Sequence, residues 1–327
     1  MSQKTTVKWP SPQEYSEAVQ APWLNFSDAT LKEAQVETNA LGLPRSVSGS
    51  FATVFCFEHG NERTAVRCFL SNVHDQGHRY SAISRYVLAD DLPCTVPVHY
   101  VEQGVRIGGH WYPILKMPWV DGLTLTEFVN KYLHVDIALS LLASYFKEMM
   151  LDLRRAGIAH GDLQHDNILI ADNELRLVDY DGMYVPELAG SPANELGHVN
   201  YQHPARSAKH FSPALDNFSA WIIYASLKCL SIDPGLWSLL QGGADCMLFR
   251  RTDFNNPEKS LAFKSLLNHR DPLIRKYGCA VRLLLLAQPD EAPHLDDESL
   301  DTPALERFFN WYRTVENDRP WYRDSAR

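Results

Sequence analysis

The hydrophobic pattern of this chain changes period at Asp121 and Gly122, and that change constrains the fold more than any other feature. From about Leu43 to Val120 apolar residues come in short β-rich runs, SFATVFCFE, RTAVRCFL, TVPVHYVE and WYPILKMPWV, punctuated by HGN, EQG and GG turns. One helical stretch, about Asp75 to Leu88, interrupts them. An antiparallel sheet carrying a single helix is expected there. Past Gly122 the spacing is helical: Ala138, Leu142, Tyr145, Met149 and Leu153 recur along a predicted amphipathic helix from Asp136 to Arg155, ended by Gly157. Leu215 to Leu230 is apolar nearly all round, which marks a buried central helix, and Leu273 to Ala287 is another candidate.

The two ends of the chain add helices. Ser11, Pro12 and Glu14 have the form of a capping-box start with proline at the first helical position, and Ser27 with Asp28 opens a second candidate. Beyond an acidic stretch, DDESLD, a last helix is expected with Thr302 as cap and Leu305, Phe308, Phe309 and Tyr312 on one face, packed on its own domain. The expected organisation is a helical extension over 1–42, a sheet-rich part over 43–120, a helical part over 121–290, and a linker with a final helix over 291–327. With 327 residues the chain can bury a large core, as one two-lobed domain or two small ones. A net charge of −9 and the lack of a basic stripe exclude nucleic acid as an expected partner. The six cysteines show no ligand spacing, so buried thiols are expected rather than zinc or disulfides. A polar N-terminus and the absence of a membrane-length apolar run point to a cytoplasmic protein with no membrane partner.

The segment HGDLQHDNILI, His160 to Ile170, followed by LRLVDYDG, carries the chemistry. Asp162, Asn167 five residues on, and Asp179 after a short β pattern have the spacing of a metal-assisted phosphoryl-transfer site. That reaction needs a carboxylate to orient and deprotonate the attacking hydroxyl, and an amide and a second carboxylate to hold Mg²⁺ against nucleotide phosphates.

A small β lobe, a hinge and a helical lobe with HxDxxxxN and a D-aromatic-x-G strand end resemble the protein kinase superfamily over roughly Leu43 to Ala287. The resemblance implies an α+β, bilobal protein-kinase-like fold, with an antiparallel β N-lobe bearing one main helix and a mostly helical C-lobe, binding ATP and Mg²⁺ between the lobes. It makes Asp162 the catalytic base and Asn167 and Asp179 the metal ligands, with Tyr180 in the place of the DFG phenylalanine and His160 supporting the loop and the Tyr180 ring. Val47, Gly49, Val54, Ala65, Arg67 and Leu169 fall at nucleotide-contacting positions. Met117 falls at the gatekeeper; the Pro118 carbonyl and Val120 amide at the hinge would bond adenine, and Asp121 or Thr124 the ribose. GHVNYQHPA, Gly197 to Ala205, resembles the end of an activation segment, and Asp216 the buried aspartate that fixes the catalytic loop. HGDLxxxNILI is also similar to aminoglycoside and choline phosphotransferases; HPAR and DNFSAWIIY favour the protein-kinase branch. The words AVRCF, KMPWV, HGDLQHDN, DYDGMYVP and NYQHP are similar to a group of bacterial, eukaryotic-like kinase-like proteins of the non-RD type.

Four departures from the family pattern bear on activity. Only Gly49 of three loop glycines is kept in Val47 to Val54; Arg67 stands where the phosphate-binding lysine belongs; Asp75 to Leu88 has no glutamate; and Gly161 replaces the catalytic-loop arginine, so control by loop phosphorylation is not expected. The literal His269, Arg270, Asp271 is a decoy within an element similar to DPxxR, Asp271 to Arg275, whose usual glutamate partner is replaced by Ala205; His165 and His203 are expected to be structural. The expected function is ATP- and Mg-dependent phosphoryl transfer to a protein hydroxyl, Ser/Thr favoured over Tyr. A pseudokinase acting as a nucleotide-binding or interaction module, and a small-molecule kinase, are the alternatives.

Overall fold

Ser11 caps the first helix, α1 (Pro12–Ala18): its hydroxyl accepts from Glu14 N at 3.3 Å while the Glu14 carboxylate accepts from Ser11 N at 2.8 Å, the reciprocal pair expected of that sequence. In this computed structural model residues 8–49, 51–72, 75–90, 92–135 and 137–295 are described. The expected last helix with Thr302 lies outside them. The described residues up to Asp121, apart from 92–94, form one unit, and 92–94 with the residues from Gly122 onward form a second.

In the first unit α1 is followed by α2 (Pro22–Asn25), α3 (Ala29–Glu33) capped by Asp28, and β1 (Gln35–Val36). Then come β2 (Ser46–Ser48), β3 (Ala52–His59), β4 (Glu62–Phe69), α4 (Gln76–Asp90), β5 (His99–Ile107) and β6 (His110–Pro118). The sheet is antiparallel throughout, in the order β1-β3-β4-β6-β5 with β2 also on β3. Period-two alternation sorts its residues: Phe55, Phe57, Val66, Cys68 and Ile114 pack with Tyr15, Val19, Phe26 and Leu31 of the N-terminal helices in one buried core. Tyr15 donates its hydroxyl to the Phe69 carbonyl at 2.7 Å, and Lys116 reaches the α3 cap Asp28 at 2.6 Å, so the extension is pinned to the covered face. The EQG segment, expected as a turn, is a correction. It is a bulge inside β5 between Val101 and Val105, held where Ser27 N donates to the Gly104 carbonyl at 3.1 Å; the hairpin turn is Gly108 and Gly109.

The second unit begins with β7 (Leu123–Thr124), α5 (Leu125–Tyr132) and α6 (Ala138–Arg155), which Gly157 ends at φ +67°. α6 buries Leu139, Leu142, Ala143, Phe146, Met149 and Leu153; Tyr145, expected on the apolar face, is exposed because its position falls a residue outside that stripe. Two short strands follow His160, as the hairpin β8 (Ile168–Ala171) and β9 (Glu174–Leu177), while Ala159 makes only an isolated bridge to Tyr184. α7 (Asn217–Ile232) is the central helix and packs against α6 and α11. Burying its Trp221, Ile222, Ile223 and Leu227 contributes about 1.5–3 kcal/mol each. The remaining helices are α8 (Gly235–Leu239), α9 (Arg251–Asn255), α10 (Leu261–Leu267) and α11 (Pro272–Leu284). Five cysteines are buried as expected, but Cys279 is exposed on the outer side of α11. No helix of the described residues is long and apolar enough to cross a membrane.

Candidate active site

The β8–β9 hairpin brings the three polar residues of the second unit together. Asn167 immediately precedes β8, Val178 immediately follows β9, and Val178 N donates to the Asn167 carbonyl at 3.1 Å, so Asp179 is delivered beside Asn167. The Asn167 side-chain amide donates to the Asp162 carbonyl at 2.9 Å and to Asp162 Oδ2 at 3.1 Å. With its NH₂ turned to Asp162, Asn167 is left with a carbonyl oxygen as its ligand atom. Asp179 sits at φ +67°, a left-handed conformation that aspartate tolerates better than most residues.

The loop that carries Asp162 is fixed from beneath. Asp216, fully buried at the start of α7, accepts from the backbone amides of His160 and, at 2.9 Å, Gly161. Burial pushes its carboxyl pKa up, opposed by His160, the two amide bonds and Arg206. His160 is packed, as expected: its Nε2 lies 2.9 Å from the Val178 carbonyl and its ring stands edge-on to Tyr180 at 5.9 Å. His165 is likewise structural, stacked on Tyr201 at 5.3 Å with the Tyr201 hydroxyl 2.7 Å from Nδ1, and burial lowers its pKa.

Position 161 has its own reason to be glycine. Gly161 is at φ +83°, and a Cβ there would lie 1.9 Å from the Gly182 carbonyl oxygen. The turn after Asp179 presses backbone against backbone, so no arginine fits. A cation still reaches this loop: Arg206 interacts with Asp216, Asp162 and Glu195, their charges opposing the downward shift that burial imposes on its pKa.

The first unit arranges the other expected residues by register. Val47 faces Val54, Val54 faces Arg67, Arg67 faces Leu115, and Ala65 faces Met117. Directly opposed residues share a face, so Val47, Val54, Ala65, Arg67 and Met117 all lie on the face away from the N-terminal helices. Arg67 is 8 % exposed, with its guanidinium carbon 6.0 Å from the Phe69 ring centre. Gly49 N donates to the Ala52 carbonyl at 2.9 Å. α4 contains no glutamate and instead buries Gln76 and Arg79.

Pro118 ends β6 opposite Thr64, Trp119 N donates to the Arg63 carbonyl at 2.9 Å, and Val120 is half-buried. Asp121 is paired with Arg63, which also bonds Glu37 at 3.0 Å and lies 5.3 Å from the Trp119 ring. The Thr124 hydroxyl caps α5, accepting from Glu127 N at 3.2 Å. Both expected ribose contacts thus have local work in their own units. Leu169, half-buried in β8, pairs with Thr124 and Arg176.

The literal His269-Arg270-Asp271 forms no catalytic loop. Asp271 caps α11, His269 bonds Asp233 at 3.0 Å, and Arg275 donates to the His269 and Arg270 carbonyls at 2.6 and 2.9 Å. A concavity of about 420 Å³ beside them, lined by Asp233, Leu236, Lys264 and His269, contains none of the expected site residues. Sequence reasoning missed Arg63, His198 and Asp245, whose partners are distant along the chain, and Arg206, which bonds Gln202 four residues before it. No group of three or more His, Cys, Asp or Glu suited to a metal ion occurs among the described residues. A one-amide, one-carboxylate pair suits Mg²⁺, which takes few protein ligands and completes its shell with water and phosphate.

No family model and no curated protein matches this sequence. Among solved structures, that of the Cydia pomonella granulovirus kinase PK-1 is similar, with a TM-score of 0.52 and 15 % identity over 84 % of this chain and 96 % of that one. The fold is therefore α+β and protein-kinase-like.

Proposed function

We propose that this chain is a divergent protein kinase, an ATP- and Mg-dependent phosphotransferase acting on a protein hydroxyl, with serine or threonine favoured. The observation that carries the reading is the Asp162–Asn167–Asp179 arrangement, in which Asn167 joins the base to the strand end that bears Asp179. Asp162 would orient the acceptor hydroxyl and take its proton at the carboxylate. Asn167 Oδ1 and the Asp179 carboxylate would hold Mg²⁺, which when bound neutralises charge on the phosphates. Arg67 supplies the positive charge on the sheet face that carries Val47, Val54, Ala65 and Met117, residues apolar enough to take a purine. A nucleotide-binding module without turnover is the second reading. It is favoured by the Asp162 carboxylate being held at both oxygens by its own chain.

Calorimetry of Mg·ATP binding tests the nucleotide half. Wild type is expected to bind in a metal-dependent way and Asp179→Ala to lose the metal dependence. Arg67→Lys is expected to weaken binding about tenfold, because a buried guanidinium beside Phe69 is a site built for arginine. Tighter binding by Arg67→Lys would show instead that the arginine is a degraded lysine. Absence of metal-dependent binding by wild type would end the enzyme reading.

A further inference from the structure

The feature of the second unit that the proposed chemistry leaves unused is the way residues 197–200 are held. His198 N donates to Asp162 Oδ1 at 2.6 Å, a shorter bond than the 3.1 Å one from Asn167 to Oδ2. It is a backbone contact, so its direction depends on what fixes the peptide at 197–198. Gly197 backs directly onto the site at φ +69°, and a Cβ there would lie 2.8 Å from Asp162 Oδ1. The fixing comes from the His198 ring. Its Nε2 lies 3.0 Å from Asp245 Oδ1, and its Nδ1 accepts from Asn200 N at 3.3 Å. Asp245 grips the same segment a second time, because Asn200 Nδ2 donates to Asp245 Oδ2 at 2.8 Å and to its carbonyl at 2.9 Å. Asn200 Oδ1 in turn accepts from Arg251 N at 2.8 Å.

The Asp245 side chain is 67 % exposed. Its bonds are therefore not a by-product of core packing, and exposed pairs of this kind add little to global stability. What they do is join the His198 ring and the Asn200 side-chain amide, at the two ends of 198–200, to one carboxylate 47 residues from His198. We propose that Asp245 is a positioning residue for Asp162: through the His198 ring it orients the His198 amide, and through that amide it aims the Asp162 carboxylate at the acceptor hydroxyl. This inference rests on the phosphotransferase reading. A misplacement of about 1 Å at a reacting group lowers turnover by about a hundredfold, so a clamp acting at one remove carries a somewhat smaller effect.

The test compares full-length wild type, Asp245→Ala and Asp245→Asn in γ-phosphoryl transfer to a generic protein substrate, with thermal melting and hydrogen exchange at the His198 amide. Asp245→Ala is expected to lower kcat about 30-fold with the KM for ATP within twofold and the melting temperature unchanged, and to expose the His198 amide to exchange. Asp245→Asn, which keeps one acceptor oxygen, is expected to recover part of the loss. Unchanged kcat in Asp245→Ala would overturn the proposal, as would a fall in kcat tracking a fall in melting temperature. If wild type transfers no phosphate, the phosphotransferase reading fails; exchange at His198 then decides the clamp, and unchanged protection in Asp245→Ala overturns it.

Discussion

Gly161→Arg, which would supply the arginine that the protein-kinase pattern has at this place, is expected to destroy the site rather than improve it. Any side chain at 161 puts its Cβ 1.9 Å from the Gly182 carbonyl oxygen, in a backbone at φ +83°. Left-handed backbone alone costs a non-glycine residue about 1–2 kcal/mol, and displacing the Gly182 peptide adds to it. The total is expected to exceed about 4 kcal/mol, in the range of severe core mutations. Thermal melting of Gly161→Ala and Gly161→Arg measures it, and both should fall by about 6 °C or more. Where the arginine variant does not fold, the alanine variant carries the test. A Gly161→Arg protein with wild-type melting would mean that the Gly161–Gly182 contact is not a constraint. Position 161 would then be open to a side chain.

Asp216→Ala is expected to have the second large effect. Its carboxylate is the acceptor for the amides of His160 and Gly161 in a place with no exposure to solvent that could replace it. Removing it strands two buried donors at about 1–3 kcal/mol each, so a loss of about 3–5 kcal/mol is expected in denaturant unfolding. Asp216→Asn keeps one acceptor oxygen but turns an NH₂ toward the second amide, so it should lie between wild type and alanine. The same order is expected in phosphoryl transfer, since the two amides are the backbone on which Asp162 stands. Equal stability of Asp216→Ala and wild type would mean that the loop bearing Asp162 is held by other contacts.

Local signals carried much of the architecture. Ser11 with Glu14 forms the reciprocal cap that its spacing implies, and the run from Leu215 to Leu230, apolar nearly all round, supplies most of the central helix. The β pattern of 43–120 is a sheet because its short runs are rich in β-branched and aromatic residues and bounded by turns, whichever strands they meet. Glycine was harder to read. EQG looks like a turn in sequence, and only the approach of Ser27 to Gly104 makes it a bulge. Gly161 looks like an absent arginine until Gly182 is seen against it. The candidate site was legible where its members are close in sequence, as in Asp162, Asn167 and Asp179. It was illegible where a distant segment supplies the contact: His198 comes from 36 residues beyond Asp162, and Arg63, which takes Asp121, from 58 residues before it. No local pattern encodes such a meeting. It depends on the path of the whole chain.

In the proposed reaction Asp162 accepts the proton of an acceptor hydroxyl. Transfer of labelled γ-phosphate from Mg·ATP to polypeptide, by wild type and by Asp162→Ala at equal folded concentration, tests it most directly. Transfer by wild type that falls about a hundredfold or more in Asp162→Ala is the expected result. Equal transfer by the two proteins, or none by wild type to any polypeptide offered, would contradict it.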